Sequence, residues 1–481
     1  MTKSDYSKDI LKQLHEVMAK CDNLSLEIKK QKREYEIRIE KLEIENKELK
    51  EKNEKLSNEV ARLKKIINND SNNSSNPPST DIKKNIPNNR EKTNKKIGAQ
   101  NGHKAHFLSK KAVEEKIKTG EYKHKIIHQG KVQKEYKSKY ILDIKVDVEA
   151  LEYRFYPNED GKYNIPTEFQ TDVQYGSEIK TLCTVLNTEG VVAIDRLANF
   201  VSCISHGAIK ISNGSIVNFM KDFNKKSNYI IEQIKTDILN SEIMHTDATT
   251  ARCDNKNICV RTHSTEGCTL LVPTYGKGKK YIEETNILNR YAGHLVHDHE
   301  TVMYNYGNKH IECNVHISRY LKGCYENTKN MWALKMRSFL CSLNEYRKKV
   351  KSKGENRIDI DALERYSKRY DDILATGYEQ NKKVRSKYLR QEEQKLLNRL
   401  KKYKENHLMF LYDFSAPFDN NLAERDLRHM KTKQKISGCF NSIEGIKIYA
   451  NIKSIISTLK KRGKNFYISI SNVYKNIPVS I

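Results

Sequence analysis

The chain has 481 residues, enough for two or three domains, and its 88 Lys and Arg against 61 Asp and Glu give a formal net charge of +27. This excess favours a polyanionic partner, most commonly nucleic acid. The sequence contains no apolar run long enough to span a membrane, and its N-terminus is charged. We therefore expect a soluble intracellular protein. Ten scattered cysteines form no Cys-x-x-Cys pair, so neither a disulfide framework nor a standard zinc ribbon is indicated.

Residues 1–67 are predicted to form a coiled coil. Leucine recurs at every seventh position, at Leu42, Leu49, Leu56 and Leu63. With leucine at heptad position d, Asn46 and Asn53 fall at position a, where buried asparagine favours a parallel two-stranded coiled coil. We therefore predict a homodimer through this segment. A long solvated helix is the alternative.

Two further segments follow before the first strong helical pattern. Residues 68–104 are rich in Asn, Ser and Pro, and their seven Lys or Arg between Lys83 and Lys104 accompany a single acid, Glu91. Such a composition predicts a flexible basic linker, which could lie along DNA phosphates. Residues 105–175 contain KYILDIKVDVEALEYRFY, whose alternation of apolar and polar residues predicts a small β module.

Residues 176–240 are predicted to be helical. Within them, Ser212-Asn213-Gly214 forms a turn signal before an apolar-periodic helix, as in a helix-turn-helix-like element that could contact DNA. The same turn is also compatible with an ordinary helical bundle.

Residues 241–475 are predicted to form an α/β domain. Three strands are expected, centred on 242–247, 256–263 and 268–273, and GHLVHD predicts a fourth strand that ends on Asp298. A charged helical stretch follows at about 325–408, with a break near Gly354 and Asp359, and further helices come after it.

Three acids in this domain could carry chemistry. Asp247 ends the predicted first strand, Asp298 ends the fourth, and Glu424 lies on a later helix that Asp419 can cap. Such a cluster of carboxylates needs cations, and oxygen ligands favour Mg²⁺ or Mn²⁺ over zinc. Two ions about 3.5–4 Å apart would support an in-line phosphoryl displacement. For any single acid, a surface position is the simpler interpretation.

The helix that carries Glu424 is otherwise basic. Its cations are Arg425, Arg428, Lys431, Lys433 and Lys435. A carboxylate in a basic field indicates a bound metal, a bound polyanion, or both. If both are bound, the acid would hold the metal and these cations would contact the DNA backbone, which positions DNA without reading its sequence.

These blocks resemble the insertion sequence 66 family of DDE transposases. NSSNPPSTD followed by IGAQNGHKAH is similar to that family's linker signature, and HTDATTAR stands where the family has its first Asp. GHLVHDHETVMYN and HIECNVHISRYL match the second Asp and a downstream His-x-x-Cys-x-x-His-x-x-Arg pattern. DNNLAERDLRHMKTKQKISGCFNSIEG matches the block that carries the third acid. The resemblance runs in order from about residue 70 to 470.

The resemblance implies an α/β ribonuclease H-like catalytic core with a large helical insertion. It is preceded by the small β module, the helical segment and the N-terminal coiled coil. Asp247, Asp298 and Glu424 would be the catalytic and metal-binding acids, holding two Mg²⁺ or Mn²⁺ ions. The expected reaction is cleavage at the ends of the element, followed by attack of the freed 3′-OH on target DNA. The partners would be both DNAs, with accessory proteins of the same element as a further candidate.

Other residues receive supporting roles by the same matching. Asn420, Asn421 and Arg425 would position the metal-bearing helix or the DNA backbone. His103 and Lys104 of the linker signature, and Arg319, would contact DNA. The location implied is the prokaryotic cytoplasm, at the nucleoid, without membrane association.

The sequence also departs from the family. The usual cysteine zinc module is missing, because residues 105–175 contain no cysteine, and no zinc is expected. If His310, Cys313 and His316 lie on one helix, residues 310 and 316 are about 120° apart, so we expect them to support the site rather than bind zinc. The alternatives are a catalytically inactive or regulatory DNA-binding relative, a nuclease that cannot join strands, and a structural coiled-coil protein.

Overall fold

The computed structural model describes residues 3–74, 109–129, 131–166, 169 and 171–481. The helices of this part of the chain are α1 (Lys3–Asn68), α2 (Lys110–Lys118), α3 (Ser177–Thr188), α4 (Ile194–Ile204), α5 (Asn213–Lys226), α6 (Asn228–Leu239), α7 (Lys279–Glu283), α8 (Asn314–Thr328), α9 (Met331–Ser352), α10 (Ile360–Lys382), α11 (Lys387–Lys402), α12 (Lys404–Tyr412), α13 (Asn421–Ser437), α14 (Ile443–Lys461) and α15 (Phe466–Tyr474). The strands are β1 (Ile243–Cys253), β2 (Lys256–Ser264), β3 (Thr269–Thr274), β4 (His294–His297) and β5 (Lys309–Glu312). None of these helices is long and apolar enough to cross a membrane.

The five strands form one mixed sheet in the order β3-β2-β1-β4-β5. β2 and β3 are antiparallel, whereas β1 pairs with β4, and β4 with β5, in parallel. Asp254 and Asn255 connect β1 to β2 with φ values of 44° and 57°. Asp and Asn tolerate this left-handed conformation, which two-residue hairpin turns require.

Contacts divide the chain into two compact units. The first comprises Met1–Lys83, Glu242–Thr246 and Tyr291–Asn421, and the second comprises Lys84–Ser241, Asp247–Arg290 and Leu422–Ile481. The predicted catalytic domain at 241–475 is therefore distributed over both units.

The first unit is built around the helices that follow β5. Trp332 of α9, Tyr370 of α10 and Leu397 of α11 are fully buried in its main hydrophobic cluster. The carboxylate of Glu393 is buried beside them and accepts hydrogen bonds from Trp332 Nε1 (2.7 Å) and Asn330 Nδ2 (2.9 Å). Buried polar atoms need such partners, so this carboxylate fixes the packing of α9 against α11.

The C-terminal end of α1 docks on α11 within the same unit. Lys65 forms an ion pair with Glu392 (2.6 Å), and Asn58 Oδ1 accepts a hydrogen bond from the backbone N–H of Tyr388 (3.2 Å). The leucines of the predicted coiled-coil seam remain exposed in this single chain, with Leu49 at 55% and Leu56 at 65%. The helix exists as predicted, and its coiled-coil pairing stays a prediction.

The second unit packs α14 on β3. Two side chains of α14 accept hydrogen bonds from backbone N–H groups of β3, Ser454 from Leu271 (2.9 Å) and Thr458 from Thr269 (3.1 Å). α3, α5 and α15 also pack together in this unit. The buried face of α14 therefore supports one edge strand of the sheet.

The helical predictions agree with these elements. α3 to α6 occupy the segment predicted to be helical at 176–240, and α9 to α12 occupy the predicted insertion. Gly354 adopts a φ of 84° after α9, and Asp359 caps α10 by accepting from the N–H of Ala362 (3.2 Å). The break between these helices lies where the glycine and the capping residue predicted it.

The predicted β module is wrong for the described residues of 105–175. They form α2 and one isolated bridge between Pro157 and Tyr163, and the alternating segment forms no strand. Ile141 and Ile144 of that segment are 93% and 88% exposed. Alternation provides an apolar face, but a strand also needs a neighbouring backbone to pair with, and no described residue supplies one.

Candidate catalytic site

Asn420 is a buried, hydrogen-bonded side chain beside the second predicted acid. It is fully buried, and its Nδ2 donates to the carbonyl oxygen of Thr246 (2.9 Å) and to Oδ1 of Asp298 (3.2 Å). Its Oδ1 accepts a hydrogen bond from Nδ1 of His245 (3.0 Å). All four residues belong to the first unit, so one carboxamide holds Asp298 against the start of β1.

Asp298 follows directly after β4, as the sequence predicted within one residue. Nδ1 of His316 lies 3.3 Å from Oδ1 of Asp298, and the Asp298 side chain is 20% exposed. The carboxylate is thus held on Oδ1 by neighbours and still reaches solvent. This combination suits a carboxylate that must bind a metal ion from solution.

The His-x-x-Cys-x-x-His segment does not lie on one helix, and that premise was wrong. His310 is on β5, Cys313 precedes α8 as its capping residue, and His316 is in the first turn of α8. Nδ1 of His310 lies 3.3 Å from Nε2 of His297, whereas Sγ of Cys313 accepts a hydrogen bond from the N–H of Asn420 (3.3 Å). His310 thus contacts His297, whereas Cys313 contacts the residue before α13.

Asp298, Cys313 and His316 present ligand atoms within 4.8 Å of one another. A thiolate would make this set attractive to zinc. Burial raises the pKa of Cys313 well above its ordinary value, and the charge of Asp298 raises it further. Without a bound cation, this environment therefore favours the protonated thiol.

A second buried carboxylate, Glu312, was missed by the sequence analysis. At the end of β5 it accepts hydrogen bonds from His299 Nδ1 (2.6 Å), the hydroxyl of Tyr304, Arg399 Nη2 (2.8 Å) and His407 Nε2 (3.1 Å). Burial alone would raise its pKa, but these hydrogen bonds and the Arg399 charge hold it well below its ordinary value. Its strand, Lys309-His310-Ile311-Glu312, is mostly polar, so the sequence gives no sign that this acid is buried.

Asp247 lies inside β1 and not at its end, so that prediction was wrong in detail. The strand continues to Cys253, and the Asp254-Asn255 turn that closes the hairpin was not recognised. Asp247 is half-buried, and its Oδ1 accepts a hydrogen bond from the N–H of Ala248 (2.7 Å). It directly follows Thr246, whose carbonyl binds Asn420.

Glu424 lies in the first turn of α13, as predicted, and is half-buried. Asp419 Oδ1 accepts from the N–H of Asn421 (3.0 Å), in agreement with the predicted cap. Asn421 itself is exposed at the first position of the helix. Glu424, Arg428, Lys431 and Lys435 fall within an arc of about 60° at 100° per residue.

Four of the five predicted DNA-binding cations of α13 are exposed, namely Arg425, Arg428, Lys431 and Lys435. Lys433 is a correction to that set. It is 6% exposed, and its Nζ donates to the carbonyl oxygens of Asn187 (3.2 Å) and Val192 (3.4 Å). It continues the buried stripe of Ala423, Leu427 and Met430, and burial lowers its pKa to about 8. Lys433 therefore joins α13 to the helical segment and does not face solvent.

Asp426 anchors α13 within the second unit. Its Oδ2 accepts hydrogen bonds from Ser264 Oγ, Thr269 Oγ1 and Lys461 Nζ, each at 2.7 Å. A carboxylate with three donors on one oxygen holds its helix in a single rotation and register. Glu424 lies two residues before this anchor, so its direction is set by the same contacts. Asp426 was not among the predicted site residues.

The remaining predicted residues are less informative. Arg319 is half-buried on α8. His103 and Lys104 lie outside the described residues, as does most of the predicted linker.

Comparison with known families defines the class of the protein. The family model described as Transposase IS66 family matches residues 173–448, which is more than half of the chain. A second model, a family of unknown function (DUF6444), matches residues 26–109. A search of curated proteins finds no match.

The chain belongs to the IS66 family of transposases. Its mixed α/β core with a five-stranded sheet and many helices fits a transposase domain.

Proposed function

We propose that this protein is an active DDE-type DNA transposase, which cuts the ends of an insertion sequence and joins the freed 3′-OH to target DNA. The observation that carries the proposal is the buried Asn420, which holds Asp298 beside the start of β1 and directly precedes the helix of Glu424. Burying a carboxamide costs free energy unless its polar atoms form hydrogen bonds, as those of Asn420 do. Its position is explained if it orients a carboxylate that binds a metal ion.

The sheet supports the ribonuclease H-like core that the resemblance implied. Strands β1, β2 and β3 follow one another as hairpins on one side of the sheet. Strands β4 and β5 extend the sheet beyond β1 in parallel. A helical insertion, α9 to α12, separates the second proposed acid from the third. The two short parallel strands place Asp298 where β4 ends, a common position for reactive groups in sheets with parallel strands.

We propose Asp247, Asp298 and Glu424 as the ligands of two Mg²⁺ or Mn²⁺ ions. Each is a partly exposed carboxylate, and both contacts that Asp298 makes with Asn420 and His316 fall on Oδ1, so Oδ2 is the oxygen assigned to the metal. An oxygen donor set suits these hard cations. Bound there, the ions would activate the attacking oxygen and stabilise the leaving one.

The chain's own residues would orient the reactants. Asn420 and His316 fix the rotamer of Asp298, and Asp426 fixes the rotation of α13. The exposed Arg425, Arg428 and Lys435 would neutralise the phosphates that flank the cut strand, without reading sequence.

We further propose that the protein is a homodimer through α1. The exposed seam of leucine and asparagine residues supports a parallel two-stranded coiled coil, because each exposed leucine would pack against its mate. The dimer would provide one catalytic chain for each end of an element.

The experiment that tests the function is Mg²⁺-dependent cleavage and joining of labelled DNA that carries the ends flanking the coding sequence. We expect products from the wild type and from Glu444→Gln, a matched control in the first turn of α14. Glu424→Gln should bind the DNA and yield no product. Wild-type turnover by Glu424→Gln would reject the proposed third acid.

A further inference from the structure

The solvent-facing side of α11 carries cations and amides without a carboxylate. Lys387, Arg390, Gln391, Gln394 and Lys401 lie within an arc of about 100° on this helix. The two acids of α11 point away from that arc. Glu393 is buried against Trp332, and Glu392 is bound by Lys65 and Lys395 at 2.6 and 2.7 Å.

The turn before α11 extends the same charge. Lys383 and Arg385 are exposed between α10 and α11, beside the exposed Arg390. These three cations form no salt bridge among the described residues. Next to them, a recess of about 760 Å³ is lined by Asn381, Lys382, Arg390, Gln391, Gln394 and Lys395. Arg390, Gln391 and Gln394 therefore border an open recess, whereas Lys383 and Arg385 are not part of its lining.

An ordinary solvated helix face would mix its charges, and the neighbouring α10 does so. Glu379 pairs with Lys382 (2.7 Å), and Asp371 pairs with Lys404 (2.7 Å). On α11, Lys387 and Arg390 are three residues apart without an α11 acid on the same face; Glu54 of α1 lies 3.7 Å from Lys387, whereas Arg390 forms no salt bridge among the described residues. Like charges at this spacing repel and destabilise a helix slightly, so a bound polyanion would relieve the repulsion.

We infer that the α11 surface, defined as Lys383, Arg385, Lys387, Arg390, Gln391 and Gln394, binds the phosphate backbone of duplex DNA. Lys and Arg would neutralise phosphates, and the two glutamine amides would donate hydrogen bonds to phosphate and sugar oxygens. This inference rests on the proposed transposase function and assigns a second DNA surface, separate in the sequence from α13. A transposase must hold both an element end and a target duplex, so two such surfaces have a use.

The test compares two triple variants of the full chain with equal charge changes. Lys383→Gln/Arg385→Gln/Arg390→Gln removes the proposed contacts, whereas Lys349→Gln/Lys351→Gln/Lys353→Gln removes exposed cations at the end of α9 in the same insertion. Binding to duplex DNA is measured by fluorescence anisotropy at several salt concentrations, with Ca²⁺ in place of Mg²⁺ to prevent cleavage.

We expect the slope of log affinity against log salt to fall by about 2–3 in the α11 variant, since each lost phosphate contact removes about 0.9. The α9 variant should change the slope by less than about 1. The single variant Arg385→Gln should lower the slope by about 0.9. It replaces the triple variant in the comparison if the triple variant folds poorly. Unchanged circular dichroism and thermal midpoints verify folding.

Equal slopes for the two triple variants would overturn the inference, because general basicity would then explain binding. Absence of duplex binding by the wild type would overturn it together with the DNA partner of the proposed function. If the wild type binds and cuts DNA while the α11 variant keeps the wild-type slope, only the second surface is rejected. If the wild type binds without cutting, the proposed catalysis fails, and the slopes still decide the α11 surface.

Discussion

The carboxamide of Asn420 donates a hydrogen bond to Oδ1 of Asp298 over 3.2 Å while the same nitrogen donates to the carbonyl of Thr246 over 2.9 Å. Asn420 directly precedes α13, Asp298 directly follows β4, and Thr246 directly precedes Asp247. One buried side chain thereby connects these three positions. Outer contacts of this kind orient metal ligands.

Asn420→Ala should lower Mg²⁺-dependent cleavage about 10- to 100-fold, which is the usual cost of losing a residue that orients a metal ligand. Because Asp298 would lose its orientation, the Mg²⁺ concentration for half-maximal rate should rise as well. A titration of the cleavage rate against Mg²⁺ measures both effects. Asn240→Ala, at the exposed end of α6, is the control. An unchanged Mg²⁺ requirement in Asn420→Ala would mean that Asn420 is only structural.

Lys433→Met should keep the wild-type salt dependence of DNA binding, because the buried amine contacts backbone carbonyls inside the protein. Lys435→Gln, on the exposed side of the same helix, should lower the slope by about 0.9. Anisotropy titrations of both variants against salt measure the difference. Equal loss of slope in the two variants would return Lys433 to the DNA-binding set.

The ion pairs of Glu189 should make the free energy of unfolding depend on pH. Burial would raise its pKa, but hydrogen bonds from Lys453 (2.6 Å) and Lys460 (2.5 Å) lower it to about 2. In the unfolded chain the pKa of a glutamate side chain is about 4.3. Since the pKa of Glu189 is lower in the folded state, its two ion pairs contribute their full stability above about pH 5. That stability is lost as the pH falls from about 4 to 2.

The thermal midpoint difference between the wild type and Glu189→Gln measures this contribution. It should be constant from neutral pH down to about pH 5 and should shrink below about pH 4. The same series with Glu364→Gln, an exposed glutamate of α10, is the control and should show no such change. A difference that grows on acidification would contradict the assignment of a lowered pKa to Glu189.

Leu49→Lys/Leu56→Lys should convert the protein to a monomer, because two charges would enter the buried seam of the proposed coiled coil. Light scattering gives the mass directly. Glu51→Lys, placed at the outer position f of the same heptads, should remain dimeric. A dimeric double variant would locate the dimer contact outside α1, and a monomeric wild type would reject the dimer.

The sequence predicted the elements whose signals are local. The seven-residue leucine spacing, the glycine and aspartate around α10 and the acid-bearing helix α13 each follow from periodicity or capping within a few residues. The alternation at residues 139–156 failed because a strand depends on a partner backbone that alternation does not reveal.

The candidate site shows the same limit. Asp298 and Glu424 could be placed on their elements, yet Glu312 and Asp426 resembled any other acid until their donors were known. Two of these donors, Arg399 and Ser264, lie 87 and 162 positions from Glu312 and Asp426, so the local sequence does not mark either acid. Lys433 was misassigned because its charge was weighed before its position on the buried stripe of α13.

The most direct test of the proposed catalysis is single-turnover cleavage of an element end by Asp298 variants, with DNA binding measured in parallel. We predict that Asp298→Asn binds DNA like the wild type and cuts none of it. Asp298→Cys should cut in Mn²⁺ but not in Mg²⁺, because a thiolate is a poor ligand for the harder ion. Cleavage by Asp298→Asn at the wild-type rate in Mg²⁺ would contradict the assignment of Asp298 as a metal ligand.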